Sequence, residues 1–100
     1  MKFYKNLYIG DTITNPERIK RKLKLHKKLL PPVYIIAYAK ENGQLEIYSS
    51  LLLKQWYYKE NPPYVVGIAA SEEEAYDIIR QIAEEAIKAT GKPDLIAYLF

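Results

Sequence analysis

The chain has no cysteine, one histidine and one tryptophan among its 100 residues. The lack of cysteine excludes disulfide frameworks, thiolate zinc sites and cysteine nucleophiles, and it is typical of a reducing compartment. The single histidine, His26, has no second histidine with which to build a metal site. We therefore predict that the protein uses no metal and no cofactor.

Long hydrophobic runs are also missing. No stretch approaches the roughly 20 apolar residues that a membrane span needs, and the first residues lack the apolar run and cleavage site of a signal peptide. Hydrophobic residues make up 49% and charged residues 27% of the chain, as in an ordinary globular protein. These features predict one cytoplasmic domain over residues 1–100, with no membrane contact.

Charge is unevenly distributed along the chain, although the net charge is only +3. Residues 16–30 carry seven basic side chains and one acidic one, whereas residues 72–90 carry six acidic and two basic ones. The first segment could therefore attract a polyanion, and the second would repel one.

Local signals predict seven elements. Strands are expected at residues 3–9, 33–40, 45–50, 64–70 and 94–100, with an Asn-Gly turn at 42–43 and a central, doubly covered position for 64–70. One helix should begin after Asn15-Pro16 and end near Leu29, and a second should run from the Ser71–Glu74 capping box to Gly91. Residues 51–58 fit either a short helix or a continuing strand.

The element order β-α-β-β-β-α-β predicts an α+β fold. We expect a two-layer sandwich in which a mixed five-stranded sheet has both helices on one face. The other face would then be open.

Tyrosine is unusually frequent, at ten residues. Because side chains alternate across a strand, assigning the aliphatic rows to the helices leaves an outer face rich in aromatic residues. Tyrosine suits a surface where apolar packing meets water or a partner. The predicted interface consists of Tyr4, Tyr8, Tyr34, Ile36, Tyr38, Tyr48, Tyr98 and Phe100.

The leading hypothesis is a non-enzymatic domain that associates with itself through this face as a homodimer. Two alternatives remain for the face: cross-strand tyrosine pairs with no partner, or a platform for a small ligand, peptide or nucleic acid. A second aromatic group, at Trp56, Tyr57, Tyr58 and Tyr64, could bind an unidentified protein or ligand, or could cover an edge of the sheet.

Two other functions compete with self-association. The basic first helix could bind nucleic acid or another polyanion, although a solvated helix whose lysines pair with a neighbouring acidic helix is the simpler explanation and the one we favour. A pocket near Asp11 and Trp56 could hold a small ligand or an active site. We predict no enzymatic activity, because no catalytic constellation is visible.

Four segments carry a resemblance: LYIGD at 7–11, NPERIK at 15–20, EIYSS at 46–50 and YVVGIA at 64–69. Together they resemble small proteins of unknown function, about 100 residues long, from anaerobic gut bacteria. The resemblance implies a bacterial cytoplasmic origin and carries no activity and no site residues.

Overall fold

The computed structural model describes residues 1–25, 27, 29–39, 43–54 and 60–100. Within them the chain forms an α+β fold with a four-stranded mixed sheet, three α-helices and a short 3-10 helix. In chain order these are β1 (Lys2–Ile9), α1 (Pro16–Lys24), β2 (Tyr34–Ala39), β3 (Gln44–Ser49), the 3-10 helix Ser50–Lys54, β4 (Tyr64–Ala69), α2 (Glu72–Thr90) and α3 (Leu95–Leu99).

The strands are ordered β1-β4-β2-β3. Strand β4 runs parallel to β1 and antiparallel to β2, and β2 runs antiparallel to β3. The predicted central position of β4 is confirmed, since its residues from Val65 to Ala69 are buried. Because a strand can be buried on both sides only when both faces of its sheet are covered, helices must lie on both faces here.

Helix α1 begins as predicted but ends early. The Asn15 Oδ1 accepts a hydrogen bond from the Arg18 backbone N–H at 3.2 Å, and Pro16 occupies the first helical position. The helix ends at Lys24, so the predicted end near Leu29 is wrong. Leu30, which follows the predicted end, is 70% exposed.

Helix α2 is confirmed with both of its caps. The Ser71 Oγ accepts from the Glu74 backbone N–H at 3.1 Å, and Gly91 ends the helix in the left-handed conformation at φ 78°. Glycine suits that position because it has no Cβ to clash there. The buried stripe of the helix comprises Ala75, Ile78, Ile82 and Ala86.

The predicted fifth strand at 94–100 is wrong, because this segment forms α3. The Asp94 Oδ1 accepts from the Ala97 backbone N–H at 3.1 Å and so caps a short helix. A short apolar run has no periodicity that separates a strand from a buried helix. Of residues 51–58, the first four belong to the 3-10 helix Ser50–Lys54, and 55–58 lie outside the described residues.

The two longer helices lie on opposite faces of the sheet. The consecutive residues Ile35 and Ile36 point to opposite sides of β2, and neither is exposed. Ile35 packs in one core cluster with Ile19 and Leu23 of α1. Ile36 packs in a second cluster, with Ala75, Ile78 and Ile82 of α2. The predicted two-layer arrangement is therefore wrong, since the sheet lies between helices.

The burial of Ile36 is testable by truncation. We expect Ile36→Ala to lower the free energy of unfolding by about 2–5 kcal/mol, because it leaves a cavity under α2. Ile87→Ala, on a half-exposed position of α2, should cost less than about 1 kcal/mol. Urea denaturation of both variants measures the difference, and equal small losses would contradict the covered face.

Candidate functional site

The tyrosines of β1 and β2 share one face of the sheet, but that face is not open. Tyr4, Tyr8 and Tyr34 pack against the core cluster that α2 and α3 complete. The open tyrosine face that we predicted is therefore wrong as a description of the fold, because the protein's own helices cover it. The homodimer stays a prediction.

Tyr48 does not lie with the other tyrosines. It pairs with Ile35 across the β2–β3 ladder and packs on the α1 side, where its hydroxyl donates a hydrogen bond to Glu46. Leu45 and Ile47 pack instead on the face of the β1 and β2 tyrosines, which we call the tyrosine row. Paired residues of an antiparallel ladder lie on the same face, and Ile36 pairs with Ile47. The even-numbered Tyr48 therefore lies on the opposite face from Tyr34 and Tyr38. Assigning the faces of β2 and β3 together, from their pairing, would have predicted this.

The carboxyl-terminal residues cover one end of the tyrosine row. The Phe100 ring lies 5.7 Å from that of Tyr4, 5.0 Å from Tyr38 and 5.4 Å from Tyr64, measured between centroids. The Tyr4 hydroxyl donates to the Leu99 carbonyl at 3.1 Å. Of the second aromatic group only Tyr64 is described, and it joins this cluster. Trp56, Tyr57 and Tyr58 lie outside the described residues.

Two tyrosine hydroxyls converge on one carboxylate of α2. The Tyr8 hydroxyl donates to Glu85 Oε1 at 2.7 Å, and the Tyr98 hydroxyl donates to the same oxygen at 3.2 Å. Partial burial and the neighbouring carboxylate raise the pKa of Tyr8 above its ordinary value. The hydrogen bonds from Tyr8 and Gln81 lower the pKa of Glu85. The network joins β1, α2 and α3, which gives these tyrosines a structural role.

Replacing Tyr8 with Phe should lower the free energy of unfolding by about 1–2 kcal/mol at pH 7, because Glu85 loses a donor. The raised pKa makes the Tyr8 contribution complete below pH 10 and progressively lost as pH rises through the higher folded-state pKa. The difference between wild type and Tyr8→Phe should therefore narrow at strongly alkaline pH. Urea denaturation from pH 7 to 11 checks this. Tyr76→Phe, at an exposed position, is the control, and equal losses in both variants would contradict the network.

The loop after β1 is occupied by a carboxylate of the protein itself. Glu74 accepts from the Thr12 hydroxyl at 2.6 Å, the Thr12 N–H at 3.2 Å and the Ala70 N–H at 2.9 Å. A Cβ at Gly10 would lie only 1.8 Å from Glu74 Oε1, so the loop passes close to this side chain. Of the loop amides, that of Thr12 donates to Glu74, whereas those of Gly10 and Ile13 donate to backbone carbonyls.

Burial alone would raise the pKa of Glu74, but the hydrogen bonds from Thr12 and Ala70 lower it below its ordinary value of 4.5. The stabilisation of the folded state by the Glu74 carboxylate is therefore complete above pH 4.5 and is lost as the pH falls through the lower folded-state pKa. We expect Glu74→Gln to cost about 1–2 kcal/mol at pH 7 and less near pH 3, measured by urea denaturation. Glu73→Gln is the control. A loss of stability in Glu74→Gln that does not depend on pH would contradict the role of the hydrogen bonds that Glu74 accepts from Thr12 and Ala70.

A groove runs along the outer flank of α1, where the helix borders the edge strand β1. It comprises two adjoining depressions of about 360 and 280 Å³, which share Glu17 and Lys20. Four basic side chains and one acidic side chain line it, together with apolar residues. We call this the α1 groove; its charged lining consists of Lys5, Glu17, Lys20, Arg21 and Lys24.

An aromatic ring lies beside the lysines of the groove. The Nζ atoms of Lys20 and Lys24 are each 5.5 Å from the centroid of the Phe3 ring. Each contact is a cation–π geometry that positions the ammonium groups on the β1 side of the helix. Sequence reasoning singled out the helix but missed Phe3 and Lys5, because only the fold brings β1 beside α1.

Among the described elements, the acidic helix α2 does not lie beside the basic helix α1. Helix α1 carries five basic residues and one acidic residue, whereas α2 carries six acidic and two basic residues. Because the two helices lie on opposite faces, the lateral ion pairs that we considered between them do not form. Among the described residues the only ion pair of α1 joins Lys20 to its own Glu17, at 3.6 Å.

Across the described part of the chain, no group of three or more His, Asp or Glu residues could hold a metal ion. None of its helices is long and apolar enough to cross a membrane. Comparisons of the sequence with protein-family models and with curated proteins, and of the structure with solved structures, gave no match. Function must therefore be inferred from the geometry and charge of the chain itself.

Proposed function

We propose that the protein is a small binding domain whose α1 groove holds the phosphate backbone of single-stranded nucleic acid without regard to base sequence. The observation that supports this most directly is the lining of the groove. Lys5, Lys20, Arg21 and Lys24 line two depressions that share Glu17 and Lys20, and Glu17 is the one acidic residue among the described lining residues. Basic side chains clustered along one surface path are the usual footprint of a polyanion site.

The dimensions of the groove suit a short run of phosphates. Helix α1 has nine residues and is therefore about 14 Å long. At roughly 3.4 Å of axis per nucleotide in one strand, that length matches about four phosphates, one for each basic side chain.

The uncharged part of the lining favours nucleic acid over a simple inorganic anion. Leu7, Ile9 and Leu25 contribute apolar surface along the groove, and the Phe3 ring lies next to Lys20 and Lys24. Bases of a single strand can rest on apolar and aromatic surface while their phosphates meet the cations. Among the described lining residues Asn6 is the one uncharged hydrogen-bonding side chain, which offers little for reading base edges, so we expect binding that does not depend on base sequence.

The charge of the opposite face supports the same orientation. The acidic residues of α2 lie on the far side of the sheet from α1. A polyanion is repelled from that face and attracted to the other, so the charge distribution orients the encounter even at a small net charge.

We expect a fluorescein-labelled single-stranded 15-mer to bind with a dissociation constant in the micromolar range at 50 mM salt. If four phosphates are neutralised, the logarithm of the association constant should fall against the logarithm of salt concentration with a slope of about −3. Fluorescence anisotropy at several salt concentrations measures both quantities. A wild-type protein that does not bind at 50 mM salt would overturn the proposal.

The triple variant Lys20→Glu, Arg21→Glu, Lys24→Glu should weaken binding by on the order of 100-fold or more and flatten the salt dependence. Its control reverses three basic residues on the other side of the sheet: Arg80→Glu, Lys88→Glu, Lys92→Glu. Both variants have the same net charge, and circular dichroism establishes that each is folded. If both lose binding equally, net charge rather than the α1 groove is responsible, and the proposal fails.

A further inference from the structure

A separate cavity of about 190 Å³ lies between the loop before α1 and the segment that leads into β2. Its walls come from residues 12–14, from the first turn of α1 and from residues 29–33. It shares no lining residue with the α1 groove. The small-ligand pocket that we considered near Asp11 and Trp56 differs from it, since Asp11 does not line this cavity.

Eight of the eleven described residues that line the cavity are apolar. Ile19, Leu29 and Val33 are core residues whose side chains reach it, and Ile13 and Pro31 contribute further walls. These residues come from three separate parts of the chain that the α1 side of the core holds together. The cavity is therefore built on packed residues and offers a surface for an apolar group.

Among the described residues that line this cavity, the one charged side chain is Arg18, which is exposed. No ion pair joins its guanidinium to another of the described residues. The other polar side chains of this described lining are Thr12 and Thr14, and none of its residues is acidic. A guanidinium presents two parallel N–H donors that match the two oxygens of a carboxylate.

We propose that this cavity binds a small monocarboxylate with an apolar body, its carboxylate paired with Arg18. An apolar cavity of about 150 Å³ accommodates a benzene molecule, so 190 Å³ suits one aromatic ring or a branched chain of similar size. The apolar walls disfavour inorganic phosphate and sugars, which would lose hydration without gaining partners. Phenylacetate has both features and is the probe of choice.

Phenylacetate should bind saturably, with a dissociation constant in the low millimolar range or tighter, in a titration followed by two-dimensional ¹H–¹⁵N NMR. The amides that shift most should be those of Ile13, Arg18 and Val33. Phenylacetamide, an uncharged molecule of the same shape, should bind at least tenfold more weakly. Absence of saturation up to 20 mM phenylacetate, or equal affinity for both probes, would overturn the proposal.

Arg18→Gln should weaken phenylacetate binding at least tenfold and abolish the preference for the carboxylate over the amide. Arg21→Gln removes the same charge from the same helix outside the cavity, and it should leave phenylacetate binding within twofold of wild type. Equal weakening by both variants would mean general charge attraction and would refute the site. Oligonucleotide binding through the α1 groove is measured separately, so failure of one site is distinguishable from failure of the other.

Discussion

The burial of the two central strands on both of their faces is the constraint from which the rest of the arrangement follows. Ile35 and Ile36 in β2, and Val65 and Val66 in β4, cannot all be removed from water unless the sheet is covered on each side. Helix α1 covers one side, and α2 with α3 covers the other. Because successive apolar residues of a strand point to opposite faces, each face needs its own helix. The helices therefore lie on opposite sides of the sheet and not side by side as in a two-layer sandwich.

This separation also distributes the charge of the molecule. Helix α1 is strongly basic and α2 strongly acidic, so placing the sheet between them leaves each without an oppositely charged neighbour. On the acidic side the tyrosine row packs beneath α2 and α3. The hydroxyls of Tyr8 and Tyr98 donate hydrogen bonds to Glu85 of α2. The basic side keeps its cations available beside the edge strand β1, and that availability supports the proposed phosphate binding.

Local signals predicted the helix starts well and the last segment badly. Asn15, Ser71 and Gly91 act through bonds or backbone conformations within a few residues of themselves, so their roles can be predicted without the fold. The segment after Pro93 has no such decisive signal except Asp94, whose capping side chain we did not weigh against the apolar run that follows. Whether that segment pairs as a strand depends on residues far away in the chain, so its local sequence could not predict the pairing.

The sequence by itself determined the α+β class, the N-cap of α1, both caps of α2, the central character of β4 and the concentration of positive charge in residues 16–30. Each of these follows from short-range backbone preferences or from composition. Only the tertiary structure decided which face each helix covers, that the tyrosines pack beneath α2 and α3, and that Lys5 and Phe3 of β1 join α1 in one groove. The physical reason is that strand order and register are set by contacts between residues far apart in the chain, and a change of one residue in register moves every side chain to the other face.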